Sequence, residues 1–382
     1  MKIAIPKENR PGEARVAASP EMVKKFVALG FQVHVETMAG DTSDMPDSVF
    51  ADAGAEISED TRSTLDSADI VLKIQRPLGA GADIDEVSMI KPGAIVIAHM
   101  AAHTSKTDIE AYAKAGLISF AMELMPRISR AQSMDVLSSQ SNLAGYKAVI
   151  DACSLYSSAF PMMMTAAGTI PPAKVFIMGA GVAGLQAIAT AKRLGAVVTA
   201  YDVRPATKEQ VESLGGKFLI VDEEAMKEAE TEGGYAKEMT EDYKKKEQEV
   251  ISNHVKNQDI VITTALIPGR PAPKLITASM VSSMKPGAVI VDLATETGGN
   301  CELSEQGTVA EKEGVKIIGY DDMPGRLARD ASSLFAKNLL NFLSPHVNSE
   351  TKNLEIDWED ETIADTLLTK DGEVVSPIIK GQ

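Results

Sequence analysis

Short β-branched runs alternate along this chain with stretches whose apolar residues recur at helical spacing, the pattern of α/β domains built on parallel sheets. In the first third the strand candidates are residues 2–6, 31–36, 70–74, 94–98 and 118–122. Ser19-Pro20-Glu21 predicts the first helix start: a hydroxyl cap, a proline at the first helical position and an early carboxylate all suit the free N–H groups there. Gly30, which tolerates the left-handed C-terminal position, ends that helix. Leu143, Tyr146, Val149, Ile150, Cys153, Tyr156 and Phe160 keep a helical period and predict one long helix, 143–160, joining two domains. A second set of strand candidates follows at 175–178, 197–201, 260–263, 289–293 and 315–318. The apolar stripe 334–343, after Ser332 and Ser333, reads as a helix returning to the first domain. From Leu354 the tail alternates, and Asp371-Gly372 is a hairpin signal. The predicted class is α/β. Two doubly wound parallel-sheet domains, residues 1–140 plus 327–382 and residues 141–326, are joined by a long helix, with a small β C-terminal tail.

An internal echo points to two related halves. Ala68-Asp69-Ile70-Val71 followed by Ile90-Lys91-Pro92-Gly93-Ala94 recurs as Gln258-Asp259-Ile260-Val261 followed by Met284-Lys285-Pro286-Gly287-Ala288. Duplication or convergence on a common turn explains it. The stretch 222–256 is different: it carries 11 acidic and 6 basic residues around Gly233-Gly234-Tyr235 and cannot bury much surface. It reads either as a solvated insertion or as a mobile loop, 222–240, in which Gly233 and Gly234 hinge and Tyr235 closes over a ligand.

Charge narrows the function classes. Lys and Arg number 38 against 54 Asp and Glu, a formal charge of −16, which opposes nucleic acid and polybasic membrane docking. No apolar run approaches the ~18–20 residues needed to span a bilayer. The opening MKIAIPKENRPGE lacks the apolar core of a signal peptide. Cys153 and Cys301 are isolated, fitting neither a disulfide framework nor a zinc site. A cytoplasmic protein without a metal or a membrane span of its own is expected.

Candidate chemistry begins at Gly179-Ala180-Gly181-Val182-Ala183-Gly184. Alone, a G-x-G-x-x-G is weak; here a predicted strand precedes it, a helix follows, and the next strand ends at Asp202, 18 residues beyond Gly184. Gly179 permits the tight turn, Gly181 admits a pyrophosphate, and Gly184 lets helix and strand pack closely. The helix N-terminus offers N–H groups to the anion. Asp202 would accept from the adenosine ribose hydroxyls, favouring NAD over NADP, while Arg204 weakens that inference because it can neutralise a 2′-phosphate. Both domains are therefore read as Rossmann-like, with the dinucleotide in the second. Thr264-Ala265-Leu266 and Glu296-Thr297-Gly298-Gly299-Asn300 follow strand ends, where such sheets place their crevice. Leu266 is a candidate to cover the adenine or ribose.

One run is more specific. MELMPRISRAQSMD at 122–135, continuing LSSQSNLAGY at 137–146, resembles the alpha subunit of proton-translocating NAD(P) transhydrogenases. So do IPKE at 5–8, the GAGVAGLQAIATAKRLGA loop, GGYAKEM at 233–239, ITTALIPGRPAP at 262–273 and DLATETGGNCELSE at 292–305. The resemblance covers essentially the whole chain. It implies an NAD(H)-binding component that passes hydride directly to NADP(H) on a partner subunit, with protons carried by separate transmembrane subunits. It further implies a homodimer held peripherally on the cytoplasmic face of the bacterial inner membrane. Arg127, Gln132, Asp135 and Ser138 match the residues that hold the dihydronicotinamide. Ile128, Ser129, Val182, Val203, Arg204, Gly234, Tyr235, Thr264, Ala265 and Leu266 join them as nucleotide contacts.

Direct hydride transfer needs positioning and exclusion of water but no general acid or base. Gln132 is neutral, with a donor and an acceptor, and Arg127 offers a planar fork. The plain alternative for Arg127 and Asp135 is a structural ion pair capping the following helix. The rival activity is that of the related alanine dehydrogenases, for which Arg15, Lys73 and His99 are candidate substrate residues. Where those enzymes carry an aspartate before Gln-Gly-Gly, this chain has Glu296 before Thr297-Gly298-Gly299, so the three are read as structural polar groups. A nucleotide-sensing module without turnover is the third reading.

Overall fold

The computed structural model describes residues 1–222, 241–267 and 269–381. Gly233, Gly234 and Tyr235 of the expected lid lie outside the described residues. The chain divides into two units, Met1–Gln140 with Pro324–Gln382, and Ser141–Met323.

The first unit is built on parallel strands β1 (Lys2–Ile5), β2 (Gln32–Glu36), β3 (Glu56–Ser58), β4 (Ile70–Gln75), β5 (Ile95–His99) and β6 (Ile118–Ala121). The tail adds β16 (Leu367–Lys370), antiparallel to β6, and β17 (Glu373–Val374). Together they form an eight-stranded sheet in the order β17-β16-β6-β5-β4-β1-β2-β3. The chain winds outward from β1 to β3, then restarts beside β1 at β4, so the sheet is doubly wound. Strands β1, β4, β5 and β6, covered on both faces, are buried along most of their length and read as apolar runs, whereas β2 and β3 toward the edge keep exposed polar positions. Asp371 and Gly372, at φ 54° and 80°, make the tight turn between β16 and β17.

Helix Pro20–Ala28 starts as its sequence predicts, with Ser19 Oγ accepting from Met22 N–H, and Gly30 follows it at φ 99°. The helix expected after Ser332 instead begins at Ala328 and runs to Leu343. Ser332 is buried inside it, where Oγ accepts from Val16 N–H (2.9 Å) and bonds Ser43 Oγ (3.0 Å). Its hydroxyl serves a tertiary contact and not a cap. Phe342 from this helix meets Phe120 edge-on, and Trp358 stacks on the same ring.

Helix Val136–Leu155 carries the chain from the first unit into the second. It starts seven residues before the predicted point and stops five short. Lys316 Nζ takes the Leu155 carbonyl at 2.9 Å, while Tyr156 and Phe160 continue into the same core without helical structure. The antiparallel pair β7 (Met163–Thr165) and β8 (Gly168–Ile170) is exposed at every position, so no alternation announces it in the sequence.

The second unit holds β9 (Lys174–Met178), β10 (Val197–Tyr201), β11 (Lys217–Phe218), β12 (Ile260–Thr263), β13 (Val289–Asp292), β14 (Val309–Lys312) and β15 (Val315–Ile318). They lie in the order β11-β10-β9-β12-β13-β15-β14. All pair in parallel except β14 with β15. This is again a Rossmann-like, doubly wound α/β sheet.

The repeated sequence marks a repeated fastening. Asp69 accepts from the Lys2 backbone N–H (2.7 Å) and pairs with Lys91 (2.6 Å); Asp259 accepts from Lys174 N–H (2.8 Å) and pairs with Lys285 (2.7 Å). Gly93 and Gly287, at φ 81° and 83°, turn each Lys-Pro-Gly into its next strand. An acid at the end of the second strand also recurs. Glu36 accepts from Lys7 N–H just past β1 (2.9 Å), as Asp202 accepts from Ala180 N–H just past β9 (2.7 Å).

Candidate functional site

In the second unit, β9 ends in a turn that only glycine can make. Gly179 sits at φ 104°, and a methyl group on it would lie 2.4 Å from Thr264 Oγ1. One on Gly184 would lie 1.8 Å from the Gly179 carbonyl oxygen, so that glycine sets how closely helix Val182–Arg193 seats on the strand. Gly181 differs: nothing lies within 4 Å of the missing methyl. It caps the helix without a side-chain hydrogen bond, leaving the first-turn N–H groups of a twelve-residue helix facing an open cradle. These residues fit a pyrophosphate.

Asp202 is buried beside this turn. It accepts from Ala180 N–H, from Arg204 N–H (2.8 Å) and from Arg204 Nε and Nη2 (both 2.9 Å). Burial pushes its carboxyl up, but the Arg204 guanidinium and the two backbone N–H groups outweigh it and hold the group below the ordinary aspartate value. Val182, Val203 and Leu266 are all exposed, Leu266 by 56 %. Exposed apolar side chains at loop positions after strand ends are suited to cover an aromatic base.

The Thr264-Ala265-Leu266 wall is held by a residue to which the sequence assigned no role. Asn300 is fully buried; Oδ1 accepts from Ala265 N–H (3.0 Å), and Nδ2 donates to the Ala265 and Pro273 carbonyls (2.8 Å each). Its own loop is organised by buried Asp292, which accepts from Ala294 N–H (3.0 Å), Cys301 N–H (2.9 Å) and Ser304 Oγ (2.7 Å). A GGN sequence after a strand is the only local trace of this clasp.

The Arg127–Ser138 run lies in the first unit. Residues Ser129–Met134 form a 3-10 turn anchored by buried Ala131 and Met134. Asn338 and Asn341 both donate to the Ser133 carbonyl, at 2.8 and 2.9 Å. So fastened, the turn leaves Arg127, Ser129 and Gln132 exposed, with Ile128 half-buried. Arg127 and Gln132 have no hydrogen-bond or ion-pair partner among the described residues. The alternative Arg127–Asp135 pair does not form: Asp135 accepts from Ser138 N–H (2.9 Å) and from Ser138 Oγ, capping helix Val136–Leu155.

Of the amino-acid candidates, Arg15 and Lys73 have other partners. Arg15 pairs with Glu13 (2.7 Å) and donates to Gln140 (2.9 Å). Lys73 is buried between Glu8 (3.2 Å) and Glu86 (2.9 Å), while the side chain that reaches Glu13 from β4 is neutral Gln75 (3.0 Å). An irregularity between Leu72 and Gln75 separates these positions. His99 Nδ1 is buried without a partner among the described residues. Glu296, exposed, accepts from Asp322 N–H at 3.3 Å. Among the described residues there is no cluster of His, Cys, Asp or Glu suited to a metal and no helix long and apolar enough to cross a membrane.

Two family profiles cover nearly all of this chain: Alanine dehydrogenase/PNT, N-terminal domain, over residues 4–144, and Alanine dehydrogenase/PNT, C-terminal domain, over residues 148–377. The chain belongs to the alanine dehydrogenase/PNT family. Within that family it is 61 % identical, over 382 residues and the whole of both chains, to the first part of the NAD(P) transhydrogenase subunit alpha of Rhodospirillum rubrum. A crystal structure of transhydrogenase from Sinorhizobium meliloti is 51 % identical, with 99 % of each chain covered and a TM-score of 0.85. The alanine dehydrogenase of Mycolicibacterium smegmatis is 30 % identical over 393 residues, covering 99 % of this chain and 96 % of its own. The nearer likeness within the alanine dehydrogenase/PNT family is thus to transhydrogenase alpha subunits.

Proposed function

We propose that this chain is the NAD(H)-binding component of a proton-translocating NAD(P) transhydrogenase. Its Gly179, Gly181 and Gly184 loop takes the pyrophosphate, Asp202 and Val203 the adenosine ribose with Arg204 beside them, and Val182, Thr264, Ala265 and Leu266 the rest of the adenosine. Arg127, Ile128, Ser129, Gln132, Asp135 and Ser138 serve the reduced nicotinamide, which supplies the hydride. An NADP(H)-binding partner receives it, transmembrane subunits carry the proton, and the chain works as a homodimer at the cytoplasmic face of the membrane. Gly234 and Tyr235 are further nucleotide contacts.

The observation that carries this reading is the segment 127–134, pinned at Ser133 by two asparagines, with Arg127 and Gln132 exposed and without partners among the described residues. A neutral amide and a permanently charged fork can fix a carboxamide and ring but neither gives nor takes a proton at neutral pH. That suits hydride transfer between two nicotinamides, in which no substrate atom changes protonation. Amino-acid oxidation needs a proton carrier and a cation for the carboxylate; here Lys73 is enclosed by two carboxylates and Arg15 by Glu13 and Gln140.

The test is direct. Purified protein binds NADH, leaves pyruvate plus ammonia untouched, and transfers hydride to NADP+ only after an NADP-binding partner is added. Reduction of pyruvate with ammonia by this chain alone overturns the proposal.

A further inference from the structure

Asp202 stands where a bound dinucleotide would find acceptors for its ribose hydroxyls, yet those acceptors are occupied. Oδ1 accepts from the Arg204 backbone N–H and Nε; Oδ2 accepts from the Ala180 N–H and Arg204 Nη2. A carboxylate offers about four lone-pair positions, so none is left for a hydroxyl. The four donors differ in kind. Two are backbone N–H groups, set by the turns after β9 and β10. The other two belong to one side chain, 38 % exposed, that reaches each carboxylate oxygen once. A guanidinium fork delivers two parallel N–H donors side by side. A vicinal ribose diol delivers two O–H donors in the same arrangement.

We infer that Arg204 is a latch standing in for the ribose diol: in the free chain its fork fills the pair of Asp202 lone pairs that the adenosine hydroxyls take over on binding. The inference rests on the dinucleotide reading of the Gly179–Gly184 loop and deepens it. The backbone donors keep the carboxylate aimed throughout, and only the fork has to turn outward. Solvent already reaches that side chain, so it has somewhere to go. Arg204 is on this account a positioning residue that acts through Asp202, and it lowers affinity for the very ligand whose seat it keeps.

The experiment is an equilibrium titration of the full chain, followed by nucleotide fluorescence, for wild type, Arg204→Gln and Arg204→Lys. Each protein is titrated with NADH and with its 2′,3′-dideoxyadenosine analogue. Neither substitution can place a donor on both oxygens with the geometry of the fork. Both variants are expected to bind NADH about fivefold more tightly, the scale of losing one partly exposed ion pair. That gain disappears for the dideoxy analogue, which has no diol to displace the latch in any of the proteins. An affinity for NADH that is unchanged within about twofold, or weakened, overturns the latch, as does a gain that persists with the analogue. Absence of NADH binding by the wild type overturns the dinucleotide reading and the latch with it.

Discussion

Asn300→Ala removes one buried side chain and three hydrogen bonds to backbone: those with the Ala265 N–H, the Ala265 carbonyl and the Pro273 carbonyl. At about 1 kcal/mol net for each, with more where a group stays dry, the loss is roughly 2–4 kcal/mol. The residues released are those that would line the crevice, so NADH affinity should fall by about tenfold, the equivalent of ~1.4 kcal/mol. Asn300→Asp is the sharper perturbation. It keeps the shape but turns Nδ2 into an oxygen facing two carbonyls, and buries a charge. The aspartate variant should therefore be less stable than the alanine variant, although it removes fewer atoms. Far-UV circular dichroism through a thermal ramp, paired with NADH titration below the transition, checks both effects. An aspartate variant as stable as wild type, or NADH affinity within twofold of wild type in both variants, would refute the clasp.

Gln132→Asn should slow hydride transfer by tenfold or more while leaving NADH affinity within about twofold, because a shorter arm loses orientation before it loses binding; equal losses in both would contradict this. Asp202→Ala should weaken NADH binding and narrow the gap between NADH and NADPH, measured by titration with each. Burial pushes the Glu8 carboxyl from 4.5 up to about 7, against the pull of Lys73. Such a group holds its proton more tightly folded than unfolded. Its contribution to stability is fully present below the unfolded value and is lost as pH rises through about 7. Glu8→Gln should accordingly flatten the fall in stability between about pH 4.5 and 7, by ~1–3 kcal/mol, in urea midpoints taken across that range.

Strands buried on both faces were legible because a parallel sheet demands unbroken apolar runs, and the glycine loop because each glycine answers a separate steric demand. Less was legible where a side chain serves distant backbone. Ser332 looks like a cap in sequence and is a buried bridge to Val16 and Ser43. Asp135 sits within reach of two plausible partners along the chain, Arg127 and Ser138, and only the turn geometry selects the serine. Lys73 and Gln75 differ by two positions, and the irregular pairing of β4 with β5 decides which one meets Glu13. Asn300 and Asn338 act through carbonyls far away in sequence, a kind of contact that leaves no periodicity to read.

The acid at the end of each second strand has different neighbours in the two units. In the first unit Glu36 grips the Lys7 N–H, but the turn it grips reads Pro6-Lys7-Glu8. Proline there offers no N–H, no glycine opens a cradle, and Glu8 is turned inward to the Ile74 N–H and Lys73. The two sheets thus share the same staple, while only the second leaves room for an anion beside it. Fastening backbone is thus a task this carboxylate performs in both units, with or without an open glycine cradle at its side.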